Sequence, residues 1–553
     1  MDSYYDLGSY GCDITTTSPQ AQLWFNRGLI WTYGFNHQEA IACFRRALEH
    51  DPNCAMAYWG IGYAFGPNYN MPWEVYDPKG RAEALAAAHG AAQQALARVD
   101  GLTPAETALI SALPARYPQA TPTADMARWD HDFADAMRAA FAAVPDHLDL
   151  RAVYAESLLT LTPWQMWDLA SGQPAKGAAT REAQQVLEQA MERAPGAMTH
   201  PGLLHLYVHL MEMSPTPEKA LKAADVLRTL VPDAGHLVHM PTHIDVLCGQ
   251  YHDVVHWNQQ AVKADLKYYH REGALNLYTG YRQHNYHFII YGALFLGQIA
   301  PALEANAALR ATTPEEMLRI ESPPMADYFE SFMAMEPHIL IRFGRWEDCK
   351  ALTLPEDRDL YRTHTATVHY ARALGHAATG EVAKAEAEEQ LFFAARDRVP
   401  ESRLMHNNKV GDLLEIAAEM LRGEIEYRKA DYESAFAHLR RAVDLDDKLP
   451  YDEPWGWMQP ARHALGALLL KQGHVAEAEA VYREDLGLGG ALSRAAVHPD
   501  NVWSLKGLHD CLDARGEEIE LHHIRHRLAQ AQARADGITA SCGCAQSAMK
   551  ASA

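Results

Sequence analysis

Apolar and small residues recur between residues 24 and 52 at intervals that suit two consecutive helices. The positions that carry the pattern are Trp24, Gly28, Trp31, Ala40, Phe44, Ala47 and Pro52. Small side chains at the eighth and twentieth places of such a segment, here Gly28 and Ala40, allow two antiparallel helices to pack closely. The pattern therefore predicts a helical hairpin that ends near Pro52.

Related patterns recur down the chain, each combining a glycine or alanine with an aromatic or a second small residue. They include Gly249 with Tyr251, Gly297 with Ala302, Gly344 with Trp346, Gly380 with Ala385, Ala430 with Ala435, and Gly466 with Ala478. This periodicity resembles tetratricopeptide repeats, in which each hairpin buries its apolar face against its neighbours. The resemblance implies an all-α fold, a solenoid of stacked helical hairpins with a concave inner cavity and almost no strand.

The repeats set the expected domain boundaries. We expect an N-terminal arm over residues 1–20, one continuous helical solenoid over 21–536 with histidine-rich central repeats at 200–310, and a disordered tail over 537–553. The tail contains Cys542 and Cys544, the one closely spaced pair among eight cysteines. Whether this pair loads a metal, acts in redox chemistry or does neither stays open.

Charge and hydropathy argue against several classes of partner. The net charge of −22, from 49 basic and 71 acidic residues, argues against nucleic acid or an anionic membrane as the main partner. No apolar run approaches the roughly 18 residues of a membrane-spanning helix, and the first residues lack the features of a signal peptide. We expect a cytoplasmic protein, and its oligomeric state is left open.

Histidine is concentrated on one predicted face of three central hairpins. Their register follows from small residues and prolines, and the tetratricopeptide resemblance implies that places 2, 5 and 9 of each first helix line the concave face. These places hold Gly202, His205 and His209, then His236, His239 and His243, then His284, His287 and Tyr291. Histidine fills seven of the nine, whereas its frequency of 29 in 553 residues predicts about half of one.

This excess of inward-facing imidazoles predicts a metal site. Closely packed rings cannot all be protonated, so a metal ion or a chain of neutral hydrogen bonds must satisfy them. The predicted ligands are His205, His209, His236, His239, His243, His284 and His287. The expected rows across adjacent helices are His205 with His239 and His287, and His209 with His243 and Tyr291. A mostly imidazole set favours copper or iron and allows zinc, and we expect no nucleotide cofactor.

Pro241 disturbs this regular arrangement because it falls inside a predicted helix. There it would remove a backbone hydrogen bond at a cost of roughly 3 kcal/mol. We therefore expect the helix either to kink at Pro241 or to begin near it.

Other residues could complete a catalytic pocket. Glu212, Glu156 and Tyr291 are candidates for proton transfer. Candidates for substrate binding are Asn68, Asn70, Trp164, His338, Arg462 and His463. Simpler interpretations stand beside these: the asparagines could stabilise a turn, and Arg462 could pair with Asp452 or Glu453.

Longer motifs extend the resemblance. They include Tyr33-Gly-Phe-Asn-His-Gln-Glu-Ala40, Leu161-Thr-Pro-Trp164, His200-Pro201, Gln283-His-Asn-Tyr-His-Phe288 and Tyr451-Asp-Glu-Pro454. Together they resemble bacterial relatives of the tetratricopeptide repeat protein 38 family over nearly the whole chain. The resemblance implies the all-helical fold and supplies no substrate.

Two classes of function follow from these patterns. The first is a metal-dependent enzyme that acts on a small molecule in the solenoid cavity, with oxidative chemistry favoured over a hydrolase or lyase reaction. The second is a non-enzymatic scaffold that binds a protein or peptide partner. Peptide-binding grooves usually grip a chain terminus with a carboxylate clamp of Lys, Arg and Asn. That clamp composition is missing from the three histidine-rich repeats. Metal storage or delivery is a third reading of the same histidines.

Overall fold

The computed structural model describes residues 4–545, and within them the chain divides into two compact units. The N-terminal unit comprises the described residues up to Ile244 together with Gln260–Arg271. The C-terminal unit comprises Asp245–Gln259 and the described residues from Glu272 onward. The prediction of one continuous solenoid over residues 21–536 stays a prediction.

The N-terminal unit is built almost entirely of α-helices. They are α1 Pro19–Tyr33, α2 His37–His50, α3 Ala55–Phe65, α4 Pro78–Leu96, α5 Pro104–Arg116, α6 Ala127–Ala143, α7 Leu148–Leu159, α8 Thr180–Arg193, α9 Pro201–Met211, α10 Leu221–Leu230 and α11 Gly235–His239. One short antiparallel pair joins β1 Trp167–Asp168 to β2 Gln173–Pro174, with Trp167 opposite Pro174. The helices α12 Pro241–Leu247 and α13 Tyr251–Glu272 contain the points where the chain passes between the units.

Phe44 explains why the first predicted hairpin packs as it does. Its ring lies against two glycines, and a Cβ atom added at Gly28 of α1 or Gly60 of α3 would come within 2.6 Å of it. The side chain of Ser18 caps α1 by accepting from the Ala21 N–H, and Asn36 caps α2 by accepting from Glu39. Phe44 of α2 is therefore held between two helices that carry no side chain where it packs.

The C-terminal unit repeats this architecture. Its helices are α14 Thr279–Leu296, α15 Ile299–Ala311, α16 Glu315–Leu318, α17 Met325–Phe329, α18 Met335–Arg342, α19 Trp346–Ala351, α20 Arg362–Ala378, α21 Val382–Arg396, α22 Val410–Arg428, α23 Tyr432–Asp447, α24 Ala461–Lys471, α25 Val475–Asp485, α26 Val502–Arg515 and α27 Glu518–Gln532. Between α21 and α22, β3 Leu404–Met405 pairs with β4 Asn408–Lys409 in an antiparallel hairpin. Tyr482 of α25 is buried against Gly466 of α24, as Phe44 is against Gly28.

The part of the tail that the structure describes is packed, which differs from the expected disorder. Ile538, Ser541 and Cys544 are buried, and Ser541 shares a hydrogen bond of 2.7 Å with the Tyr482 hydroxyl. The sulfur atoms of Cys542 and Cys544 form a disulfide. A Cβ atom added at Gly543 would come within 2.7 Å of the Ile341 carbonyl oxygen, so glycine allows the chain to lie close to α18 here. Residues 546–553 of the predicted tail lie outside the described residues.

None of the helices found between residues 4 and 545 is long and apolar enough to cross a lipid bilayer.

Candidate metal centre

Two neighbouring segments of the N-terminal unit bring five of the predicted histidines together. His205 and His209 lie one turn apart on α9, which begins at Pro201 and is capped by the His200 side chain. His236 and His239 lie on α11, and His243 lies on α12. All five side chains are buried.

Pro241 separates α11 from α12, as the sequence predicts. The helix α11 ends at His239, and α12 begins at Pro241, where a missing backbone N–H costs nothing. His236 and His239 therefore approach from a short helix of their own and not from the regular first helix of a hairpin.

One close group consists of His205, His209 and His236. One nitrogen of each lies within 4.8 Å of the others. Their ring centroids are separated by 4.7 Å for His205 and His209 and by 4.8 Å for His205 and His236. Phe35 packs on all three rings, at 4.6, 5.8 and 5.5 Å respectively. The predicted row placed His239 beside His205, but His236 completes this triple, because the break at Pro241 changes the register of α11.

Glu212 connects this group to the next. Its Oε1 accepts from His209 Nδ1 at 3.0 Å, and its Oε2 accepts from His243 Nδ1 at 2.7 Å. The carboxylate is fully buried. A carboxylate that accepts from one imidazole nitrogen fixes the ring and raises the basicity of the other, which is the usual support of a metal-binding histidine. Glu212, predicted to transfer protons, is placed here to orient two imidazoles.

Hydrogen bonds also define the tautomer of His205. Its Nδ1 lies 2.7 Å from the Tyr33 carbonyl oxygen, which can only accept, so Nδ1 carries the proton. In the neutral ring the lone pair is then on Nε2, as it is in His209 and His243, whose Nδ1 atoms donate to Glu212. The Nε2 atoms of His205 and His209 are therefore oriented as possible metal ligands, whereas that of His243 faces His239.

His239 and His243 form a second close pair. Their Nε2 atoms are 2.7 Å apart. Because His243 Nδ1 donates to Glu212, its Nε2 accepts, and His239 donates from Nε2.

The cluster favours the neutral form of His236. Burial, followed by the four neighbouring histidines, lowers the pKa of His236 well below its usual value. Neutral imidazole is the form that coordinates transition metals. The residue types would fit copper, iron or zinc. That a metal ion binds here is a proposal.

The other predicted ligands, His284 and His287, lie on α14 in the C-terminal unit. With His406 they form a second group, whose nitrogens lie within 4.8 Å of one another. His406 occupies the turn between β3 and β4 and was not predicted. Burial, and then His406 and His338, lower the pKa of His287 well below its usual value.

Tyr291 and His463 belong to a buried network around Asp485 in the same unit. The Tyr291 hydroxyl lies 2.9 Å from His498 Nε2, and His498 Nδ1 donates to Asp485 at 2.9 Å. His463 Nε2 lies 2.8 Å from the same carboxylate. Burial alone would raise the pKa of Asp485, but His463 and His498 hold it well below its usual range. The network offers Tyr291 a proton acceptor, and its role in catalysis stays a prediction.

Glu156 is buried on α7 and not on a helix surface. Its Oε2 accepts from the Tyr63 hydroxyl at 2.5 Å, and burial raises the pKa of its carboxyl. Its assignment as a base also stays a prediction.

The predicted substrate-binding residues of the N-terminal unit make local contacts, and their role in binding stays a prediction. Asn68 Oδ1 accepts from the Asn70 N–H at 2.9 Å, which is the turn-stabilising alternative. The backbone N–H of Trp164 donates to the Tyr69 hydroxyl, and the Tyr69 ring centroid lies 4.4 Å from that of His209. Trp164 therefore supports an aromatic side chain that packs on the cluster.

Arg462 forms an ion pair, which is the alternative to substrate binding, but its partner is not one of the two acids expected. Its guanidinium binds Asp447 at the end of α23 through both terminal nitrogens, and not Asp452 or Glu453. Asp452 and Glu453 are nearer in sequence, but the packing of α24 against α23 places Asp447 beside the guanidinium. His338 lines a cavity of about 30 Å³ that His287 also lines, and burial lowers its pKa to about 4.

A further buried group went unrecognised in the sequence. His200 Nδ1 accepts from the Leu203 N–H, so its Nε2 donates to Asp149 at 3.3 Å. Tyr10 and Tyr33 donate to the same carboxylate at 2.7 Å each. Burial would raise the pKa of Asp149, but these three donors hold it below its usual range. The His200-Pro201 dipeptide before a helix was the available signal.

The tetratricopeptide repeat model matches residues 21–54. This segment is the α1–α2 hairpin in which Phe44 packs between glycines, so the predicted class, all-α with tetratricopeptide-type helical hairpins, is confirmed. The crystal structure of the APC/C hetero-tetramer Cut9-Hcn1 is similar over 92% of this chain and 76% of that chain, with 12% identity and a TM-score of 0.31. The structure of Naa15/Naa10 bound to HypK-THB covers 92% and 70%, with 12% identity and a TM-score of 0.21. No curated protein matches the chain by sequence.

Proposed function

We propose that this chain is a tetratricopeptide-type scaffold that binds a protein or peptide partner. The observation that carries the proposal is the match at residues 21–54, because stacked repeats of this kind present extended surfaces to which partners bind. The net charge of −22 makes a basic partner electrostatically complementary. The cytoplasmic location and the kinship with the tetratricopeptide repeat protein 38 family belong to this proposal and rest on the sequence.

Partner binding is tested in two steps. The tagged full chain is used to isolate proteins from its own cells at low and at high ionic strength, and each candidate is then purified and titrated against the full chain by calorimetry. We expect one basic protein to bind with a defined stoichiometry and with an affinity that falls as salt is raised. Candidates that all fail to bind once purified contradict the scaffold function.

One specific observation favours a second function, a metal-dependent enzyme that acts on a small molecule. One nitrogen each of the buried residues His205, His209 and His236 lies within 4.8 Å of the other two. Glu212 accepts hydrogen bonds from His209 and His243. An ion held by His205, His209 and His236 would supply Lewis-acid or redox chemistry, with oxidation favoured over hydrolysis for a mostly imidazole site. The chain's own part is to keep the ligands neutral, buried and oriented.

Elemental analysis of the untagged protein tests this second function. One or two equivalents of copper, iron or zinc, lost in a His205→Ala/His209→Ala variant that still folds, support it. A chain that retains no metal and takes none up when each ion is supplied contradicts it. An exposed pair on α27, His522→Ala/His526→Ala, is the matched control, because these rings also lie one turn apart.

A further inference from the structure

The second histidine group, in the C-terminal unit, has a sulfur ligand within reach. His284 Nδ1 lies 3.0 Å from His406 Nε2, and Met458 Sδ lies 2.8 Å from His287 Nε2. The nitrogens of His284, His287 and His406 all lie within 4.8 Å of one another. Three imidazoles therefore lie close together, and a thioether sulfur contacts one of them.

Three separate segments build this group. His284 and His287 project from α14 one turn apart. His406 adopts the left-handed region, with φ of 47°, at the turn of the β3–β4 hairpin. Met458 is buried in the loop that precedes α24. A non-glycine residue in this region of φ is uncommon and is held there by its surroundings.

An aromatic ring and methionine side chains lie against the group. The Phe332 ring packs edge-on against His287 at 5.5 Å and against His406 at 5.0 Å. A cavity of about 30 Å³ adjoins His287 and Met458 and is also lined by Met335 and Met405. A volume of this size holds one or two water-sized ligands.

We propose that His284, His287, His406 and Met458 form a copper(I) site. Thioether sulfur is a soft donor that selects monovalent copper, imidazole suits copper, and the set of four contains no carboxylate to favour harder ions. The cluster of the N-terminal unit differs, because a carboxylate, Glu212, accepts hydrogen bonds from two of its imidazoles. This site is independent of partner binding, so either proposal can fail alone.

The test is a copper(I) titration of the full chain without oxygen, in competition with a chromophoric copper(I) chelator. Met458→Leu removes the sulfur at nearly constant volume, and Met317→Leu makes the same change at another buried methionine of the unit, outside the cavity lining. We expect at least tenfold weaker binding in Met458→Leu and unchanged binding in Met317→Leu. X-ray absorption should show sulfur scattering in the wild type and in Met317→Leu only.

A second variant protects the test against misfolding. If circular dichroism shows that Met458→Leu has lost its helices, His406→Gln in the partly exposed hairpin turn replaces it, with the same expected loss of affinity. Copper(I) bound through nitrogen alone, equally well in wild type and variants, would overturn the proposal. Failure of the wild-type chain to compete with the chelator would overturn it as well.

Discussion

Glu212 and His243 are joined by a buried hydrogen bond of 2.7 Å between Oε2 and Nδ1, although 31 positions separate them in the chain. The other carboxylate oxygen holds His209 in the same way. Two segments of the N-terminal unit are thus linked through one side chain that water does not reach. The link fixes which nitrogens of both rings face the cluster.

Replacing Glu212 with glutamine should weaken both the fold and any metal site. The amide cannot accept two hydrogen bonds through two oxygens, so a buried donor loses its partner at a cost of about 1–3 kcal/mol. Loss of an orienting partner typically lowers metal affinity by about 10–100-fold. Urea unfolding and competitive metal titration measure the two effects. Glu192→Gln, at an exposed position on α8, should change neither; equal effects in both variants would remove the orienting role from Glu212.

Alanine at two glycines of the N-terminal unit should change the free energy of unfolding in opposite directions, because only one of them packs against Phe44. A Cβ at Gly28 would lie 2.6 Å from the Phe44 ring, whereas a Cβ at Gly90 of α4 would meet nothing within 4 Å. Gly28→Ala should therefore lower the free energy of unfolding by about 1–3 kcal/mol. Gly90→Ala should raise it by about 0.5–1 kcal/mol, because glycine is costly inside a helix. Chemical denaturation measures both variants, and a Gly28→Ala variant as stable as the wild type would refute this account of the hairpin.

Asp130 on α6 should make stability fall as pH rises. Burial raises the pKa of its carboxyl from 3.8 to about 7, against the opposing effect of Arg116. Between these values the folded protein keeps a proton that the unfolded chain has lost, so the folded state is penalised increasingly up to neutral pH. A shift of about three units corresponds to at most about 4 kcal/mol.

The Asp130→Asn variant isolates this effect from other titrating groups. Its free energy of unfolding should exceed that of the wild type at pH 8, and the difference should shrink towards pH 4. Urea unfolding across that range provides the comparison. A difference that does not depend on pH would show that Asp130 keeps an ordinary pKa.

Asp485 should be the most sensitive acid of the C-terminal unit. It accepts from His463, His498 and Asn501, so replacing it with asparagine leaves buried donors facing a neutral amide. We expect Asp485→Asn to lose about 3–5 kcal/mol of stability, as when one partner of a buried charged network is removed. Asp513→Asn, at an exposed position of α26, should lie within about 0.5 kcal/mol of the wild type. Similar losses in the two variants would contradict the importance assigned to the network.

Sequence periodicity predicts what lies within one or two helices. Gly28 and Phe44 are related by hairpin spacing alone, and His205 and His209 by a single turn of α9, so both relationships were accessible. The break at Pro241 was predictable because proline lacks the N–H that a continuous helix needs.

Relationships that depend on tertiary packing escaped the sequence. His406 and Met458 come from a hairpin turn and a loop more than one hundred residues from α14. Arg462 has acids close to it in sequence, but α23 presents Asp447 instead. Loop residues carry no periodic signal, and in such cases only the packed structure shows which side chains meet.

Native mass spectrometry of the untagged protein, isolated from its own cells at low ionic strength, tests the scaffold function most directly. The measured mass reports bound proteins and bound metal ions together. The scaffold account predicts the chain with a protein partner in a fixed ratio, and the partner should dissociate as salt is raised. The chain carrying a metal ion or a small molecule, with no protein partner at any ionic strength, would contradict it and favour the metal-dependent enzyme.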